Sequence, residues 1–129
     1  MPEAKDFTVL VCEDEKAMQE ALAMKFGLTG FQVETADNGQ IALDKMREKK
    51  PSILMLDIIM PVKDGLTVLT EMSADDQLKD IPVILLTNLN EPNKIMEALT
   101  LGAKDYVVKA DWNIDDIVKK VKDKLGIPS

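Results

Sequence analysis

Histidine is absent from this 129-residue chain. Without it, no Ser-His or Cys-His catalytic arrangement is possible, and neither is a histidine-ligated zinc site. Cysteine occurs once, at Cys12, which rules out an internal disulfide and a CxxC pair. It sits inside an apolar run and reads as a small core residue. No apolar stretch approaches the ~18 residues a membrane helix needs. The polar start Met1-Pro2-Glu3-Ala4-Lys5-Asp6 lacks a signal-peptide core, so the expected address is cytoplasmic, with no membrane contact. The glycine-rich phosphate loop of nucleotide-binding proteins is missing too. Positive charge is in the minority: the net charge is −7 and the pI near 4.6, which argues against direct nucleic-acid binding. Lys119, Lys120, Lys122 and Lys124 do cluster, but they read as the solvated face and favourable C-terminal end of a last helix.

The length favours one domain with one core, and 46% hydrophobic with 30% charged residues is globular composition. Strand-like runs alternate with helix-like ones. The strand candidates are Phe7–Cys12, Phe31–Ala36, Ile53–Asp57, Pro82–Thr87 and Asp105–Lys109. Several are near-continuous aliphatic runs, the pattern of parallel strands covered on both faces. Helical spacing joins Met18, Ala21, Leu22 and Phe26, then Ile95, Ala98 and Leu99, and finally Ile114, Ile117, Val118, Val121 and Leu125. Gly27 and Gly30 are expected to stop the first helix, Asn38-Gly39 to open the second, Gly102 to end the fourth and Asn113 to cap the last. Ser73–Asp80 reads as a polar surface connection. Five strands separated by helices, (βα)5, imply an α/β fold with a parallel sheet and helices on both faces.

Four of these runs end in polar groups: Glu13-Asp14, Asp57, Thr87 and Lys109. In parallel sheets, ligands bind outside the carboxyl ends of the strands, which gathers these four ends on one edge. Asp57 is the most telling, because a carboxylate at the tip of a buried strand costs roughly several kcal/mol unless it is partnered. Glu13 and Asp14 alone read first as an acidic helix N-terminus. With Asp57 they make three anions at neighbouring strand ends, a set that Mg²⁺ would reconcile by taking carboxylate oxygens and keeping waters or phosphate oxygens. Lys109 alone is an ordinary strand-end lysine, and Thr87 alone suits a strand. Together around Asp57 they form an arrangement for phosphoryl transfer, with Asp57 as nucleophile and cations and a hydroxyl on the transferred oxygens.

The pieces Val11-Cys12-Glu13-Asp14-Glu15, Leu54-Met55-Leu56-Asp57-Ile58-Ile59-Met60-Pro61 with Asp64-Gly65, Leu85-Leu86-Thr87, and Gly102-Ala103-Lys104-Asp105-Tyr106-Val107-Val108-Lys109 are joined in one order and spacing. In these pieces the chain resembles the response regulator receiver domain of two-component signalling, and the similarity runs from about Phe7 to Leu125. The resemblance implies a flavodoxin-like sheet of strand order 2-1-3-4-5 and a phosphorylation switch in which Asp57 accepts the phosphoryl group. Glu13, Asp14, Asp57 and the backbone carbonyl of Ile59 would hold Mg²⁺. Thr87 would follow the phosphoryl group, Lys109 would pair with it, and Tyr106 would be the switch aromatic. The donor implied is a histidine kinase or phosphotransfer protein, which would supply the histidine this chain lacks. The output implied is a target protein bound through the fourth helix–fifth strand–fifth helix face, by a monomer or a phosphorylation-linked dimer.

Four positions depart from the pattern or tune it. Ala110 stands where the family usually has a proline joined by a cis bond; a cis bond to a non-proline residue costs about 3–4 kcal/mol, so a trans bond and a rearranged loop through Asp111-Trp112 are expected. Asn88 replaces a small residue and either crowds the pocket or hydrogen-bonds within it. Ile59 and Leu89 are apolar where the family tunes dephosphorylation, which predicts slow loss of phosphate. Two other classes compete. One is a degenerate receiver, a constitutive interaction module. The other is a small-molecule phosphatase of the haloacid-dehalogenase type, which wants an aspartate where Ile59 stands. One receiver domain is expected over 1–129, its core at about 7–125, with no output domain following; a receiver excised from a larger protein is the alternative. Trp112, three residues past Lys109, is a candidate fluorescent reporter.

Overall fold

The computed structural model describes residues 2–87, 92–111 and 113–128, the side chain of residue 111 excepted. Five strands, β1 Thr8–Cys12, β2 Gln32–Ala36, β3 Ile53–Asp57, β4 Val83–Thr87 and β5 Asp105–Val108, alternate with five helices. The helices are α1 Lys16–Thr29, α2 Gly39–Glu48, α3 Gly65–Ser73, α4 Pro92–Thr100 and α5 Ile114–Leu125, with single 3₁₀ turns at Ala4–Asp6 and Lys109–Asp111. All pairings are parallel, in the order β2-β1-β3-β4-β5. The expected α/β architecture and strand order are therefore those of the structure.

Every residue of β3 and β4 is buried, as central strands covered on both faces require. Because successive side chains point to opposite faces, these aliphatic runs feed two cores. Leu10, Cys12, Leu54, Leu56, Val83 and Leu85 pack with Leu43, Met46, Leu69 and Met72 of α2 and α3. Val9, Val11, Ile53, Met55, Ile84 and Leu86 pack with Leu22 and Phe26 of α1 and Val118 and Val121 of α5. The edge strand β2 alternates instead, with one side toward water.

Some sequence expectations need correction. Gly27 does not stop α1; it lies within the helix, which ends at Gly30 with φ 109°, where the Phe31 amide reaches back to the Phe26 carbonyl at 3.1 Å. Residues 7, 31, 82 and 109 fall just outside their strands, the usual one-residue disagreement at element ends. The connection through residues 73–80 is not all surface, since Leu78 is 1% exposed and anchors it to the core. The last helix's basic face is not wholly solvated, because Lys120 and Lys124 reach Asp105 at 3.0 and 3.8 Å. Asn38 and Asn113 do cap α2 and α5, accepting from the amides of Ile41 and Asp115. Among the described residues, no helix is long and apolar enough to cross a membrane.

Candidate functional site

Parallel pairing aligns the carboxyl ends of β1, β3, β4 and β5, and four side chains stand there in a row. Glu13 follows β1, Asp57 ends β3, Thr87 ends β4 and Lys109 follows β5. All four are buried. Lys109 Nζ donates to Glu13 Oε1 at 2.7 Å and to Asp57 Oδ2 at 3.0 Å. One ammonium thus bridges two carboxylates from strands on either side of the point where strand order reverses.

This charge count leaves the site anionic. Burial pushes the Glu13 carboxyl up to about 8, the neighbouring Asp57 carboxylate adds to this, and Lys109 pulls the other way without prevailing. Burial pulls Lys109 down, but its bonds to Glu13 and Asp57 outweigh that and leave it above its ordinary value. Burial, then the Asp57 and Glu13 charges, push the Cys12 thiol up to about 12, so it stays a neutral core group. The second Glu13 oxygen, Oε2, is buried with no hydrogen-bond partner, a costly condition for a carboxylate.

Glu13, Asp14 and Asp57 each offer a carboxylate oxygen, and the three oxygens lie within 4.8 Å of one another. Asp14 is exposed, so the set opens to solvent on one side. An all-oxygen anionic set with an orphaned buried oxygen and an open side fits a hard divalent cation that keeps part of its hydration. The Ile59 amide bonds Asp57 Oδ1 at 3.3 Å, and the Ile59 side chain is 53% exposed beside it.

The β3–α3 turn holds Asp57 by tight backbone packing. The Gly65 amide donates to the Ile58 carbonyl at 2.8 Å, and a Cβ on Gly65 would lie 2.5 Å from the Asp57 carbonyl oxygen. Only glycine fits that approach. Asp64 caps α3 by accepting from the Thr67 amide at 2.9 Å. Val62, 80% exposed, is the only non-glycine described with positive φ, at 68°, a strained conformation for a β-branched residue. Sequence reasoning missed these backbone demands, although the Asp64-Gly65 pair after Pro61 signalled the turn.

The other candidates stand farther out. Tyr106 on β5 is 41% exposed, with its ring away from the core. The Lys109–Ala110 peptide is trans, and residues 109–111 close into one 3₁₀ turn with Ala110 exposed. Asn88, Leu89 and Trp112 lie outside the described residues. A buried amide that sequence reasoning passed over, Gln19 on α1, bonds to the Glu13 carbonyl at 2.8 Å.

Comparison with known proteins agrees with this architecture. The sequence profile of the response regulator receiver domain matches residues 9–122. The probable transcriptional regulator ycf27 of Porphyra purpurea is 34% identical over 130 residues, covering 94% of this chain and 52% of that protein. The transcriptional regulatory protein KdpE of Staphylococcus aureus is 34% identical over 114 residues, covering 88% and 48% respectively. The chain spans about half the length of the curated relatives it matches. Among solved structures, the signal receiver domain of a signal transduction histidine kinase from Syntrophus aciditrophicus superposes with TM-score 0.85 at 30% identity, covering 93% of this chain and 90% of that one. The chemotaxis protein CheY4 of Vibrio cholerae gives TM-score 0.84 at 26% identity, covering 91% and 97%. On the fold, the edge that gathers Glu13, Asp57 and Lys109, and a profile match over most of its length, the chain belongs to the response regulator receiver family.

Proposed function

We propose that this receiver is a phosphorylation switch in which Asp57 takes a phosphoryl group from a phosphohistidine on a histidine kinase or phosphotransfer protein. The observation that carries the reading is Lys109 Nζ bridging Asp57 and Glu13 beside an orphaned Glu13 oxygen. That arrangement is costly for stability and suited to phosphoryl transfer. An Asp57 oxygen attacks phosphorus, the P–N bond to the donor imidazole breaks, and that electron pair leaves with the ring nitrogen, which picks up a proton. Lys109, already 3.0 Å from Asp57, offsets the negative charge on the transferred oxygens. Thr87, at the end of the adjacent strand, is the hydroxyl donor on the β4 side. Glu13, Asp14, Asp57 and the Ile59 carbonyl are the oxygens that would hold Mg²⁺, which when bound supplies a second positive charge to the phosphoryl oxygens.

The readout in this proposal runs through the β4–β5 side. A phosphoryl group on Asp57 draws Thr87 toward it, and Tyr106, two residues before Val108, the β5 partner of Thr87, turns inward into the space vacated. The α4–β5–α5 face changes shape and with it the affinity for a target protein. A net charge of −7 favours a protein target over direct contact with nucleic acid. The self-directed transfer makes this a signalling component and not an enzyme acting on external substrates. Ile59 is apolar and exposed beside Asp57, so it cannot orient a hydrolytic water, and the phosphoryl group is long-lived.

Acetyl phosphate with Mg²⁺, followed by intact mass, tests the reading. Wild type gains one phosphoryl group, and Asp57→Ala and EDTA-treated wild type gain none. No labelling of wild type, or equal labelling of Asp57→Ala, favours a constitutive interaction module. Ile59→Asn is expected to shorten the lifetime of the phosphorylated protein, and an unchanged decay removes Ile59 from the account.

A further inference from the structure

Gln19 is a polar residue in the first turn of α1, yet it is 3% exposed. Its Nε2 donates to the Glu13 carbonyl at 2.8 Å and to Asp37 Oδ1 at 2.9 Å, with the Ala36 carbonyl at 3.4 Å. Its Oε1 accepts from Lys16 Nζ at 3.3 Å, and the same ammonium bonds Asp37 at 3.0 Å. The Glu13 amide in turn donates to the Ala36 carbonyl at 3.1 Å. Both polar backbone groups of Glu13 are thereby fixed against the end of β2, the carbonyl through Gln19 and the amide directly.

The Glu13 carbonyl lies in the peptide plane that leads into Asp14. Holding that oxygen fixes the plane and thus the direction from which the Asp14 side chain leaves the chain. Asp14 needs such help: among the described residues, no hydrogen bond or ion pair holds its carboxylate, whereas Glu13 and Asp57 are both held by Lys109. A helix could anchor itself to this core with an aliphatic side chain at position 19, as it does with Leu22 and Phe26. An amide there costs desolvation, which its three acceptors offset only in this one geometry.

We infer that Gln19 is a positioning residue for the cation site, fixing the Glu13–Asp14 peptide so that Asp14 meets Glu13 and Asp57 ready to bind a divalent cation. The assignment rests on the metal reading above and gives Gln19, Asp37 and Lys16 a purpose in it. Hydrogen bonds from Gln19 and Lys16 hold the Asp37 carboxyl below the usual range, so it stays ionised and grips the amide through a charge-assisted bond. Residues in such supporting positions typically change metal affinity about 10–100-fold when removed.

The test is a titration of the intact chain with Mg²⁺ alone, followed by amide NMR shifts, on wild type, Gln19→Leu, Gln19→Asn and Phe26→Leu. Leucine removes both bonding ends at similar volume, and asparagine keeps the chemistry but withdraws the donor by one methylene. Phe26→Leu unsettles the same helix from a fully buried position and reports what destabilisation alone does to the site. Gln19→Leu is expected to raise the Mg²⁺ dissociation constant roughly tenfold, with the free-state shifts of the Asp14 and Asp37 amides displaced. Gln19→Asn is expected to show the same change in smaller measure, and Phe26→Leu to lower thermal stability while binding Mg²⁺ as wild type does. If Gln19→Leu does not fold, Gln19→Asn carries the decision. A dissociation constant within a factor of about two of wild type in the folded Gln19 variant, or an equal rise in Phe26→Leu, overturns the assignment while leaving the cation site intact. Wild type that binds no Mg²⁺ overturns both.

Discussion

Strand β5 carries a charge cluster at each end, and the two are mirror images in charge. Asp105 opens the strand and lies between two ammonium groups, Lys120 at 3.0 Å and Lys124 at 3.8 Å. Lys109, just past the other end, lies between two carboxylates, Glu13 at 2.7 Å and Asp57 at 3.0 Å. The side chains of the first set are 25%, 41% and 37% exposed; those of the second are 6%, 0% and 7% exposed. Each cluster has one charge too many of one sign, but only the buried one suffers for it. Burial raises Asp105, yet the bonds from Lys120 and the Tyr106 amide prevail and leave it below its usual value. At the other end the surplus falls on Glu13, which rises to about 8 and keeps an unpaired oxygen. Water absorbs an imbalance at the surface. In the interior it persists as a standing attraction for a cation, which sets this end of β5 apart from the other.

Removing the central charge from each cluster breaks the comparison most sharply. Lys109→Met leaves Glu13 and Asp57 buried without a cation and is expected to cost about 3 kcal/mol in urea unfolding at pH 8 without metal. Millimolar Mg²⁺ should restore much of the loss. A cost under about 1 kcal/mol means that water reaches the pair freely and that the two ends of β5 are alike.

The pH dependence of stability separates the clusters next. The folded Glu13 pKa, about 8, lies above its ordinary 4.5, so the folded state holds that proton more tightly than the unfolded chain does. Its contribution is fully present below about pH 4.5 and is lost as pH rises toward 8, with a slope of at most about 1.4 kcal/mol per pH unit. Glu13→Gln should flatten that part of the metal-free stability profile, and an unchanged slope would place the titration elsewhere. The sign is opposite for Asp105, whose folded pKa is depressed. Its contribution is present above the unfolded value near 3.8 and is lost as pH falls through the folded one.

The smallest effect belongs to the exposed end. Asp105→Asn should cost no more than about 0.5–1 kcal/mol, and 0.5 M salt should erase most of that. Raising salt should leave the Lys109→Met penalty largely in place, since screening acts weakly on buried charges. If both substitutions respond to salt alike, burial is not what distinguishes the clusters.

Much of this was legible beforehand, and the residues show why. The runs at residues 53–57 and 83–87 are too uniformly apolar to have a wet face, so their central place in a parallel sheet followed from burial alone. Asp57 stood out because a carboxylate ending such a run has no packing reason to be there. Gly27 misled because glycine is only a weak helix breaker, costing about 1 kcal/mol, and the apolar face through Phe26 outweighs that. Leu78 misled because a lone leucine among polar neighbours carries no period. Gln19 gave no signal at all, since its partners are the carbonyls of residues 13 and 36, brought near only by the pairing of β1 with β2.

The sequence by itself determined the order of elements, the two-sided core and the kinds of group at each strand end, because periodicity and residue chemistry are local properties of the chain. Only the tertiary structure decided that Lys109 bridges Glu13 and Asp57, 96 and 52 residues away, that Glu13 is left with an orphaned oxygen, and that Gln19 holds the turn leading to Asp14. Those facts depend on which strands lie side by side and on where water is excluded. Both are products of packing, and no single stretch of chain contains either.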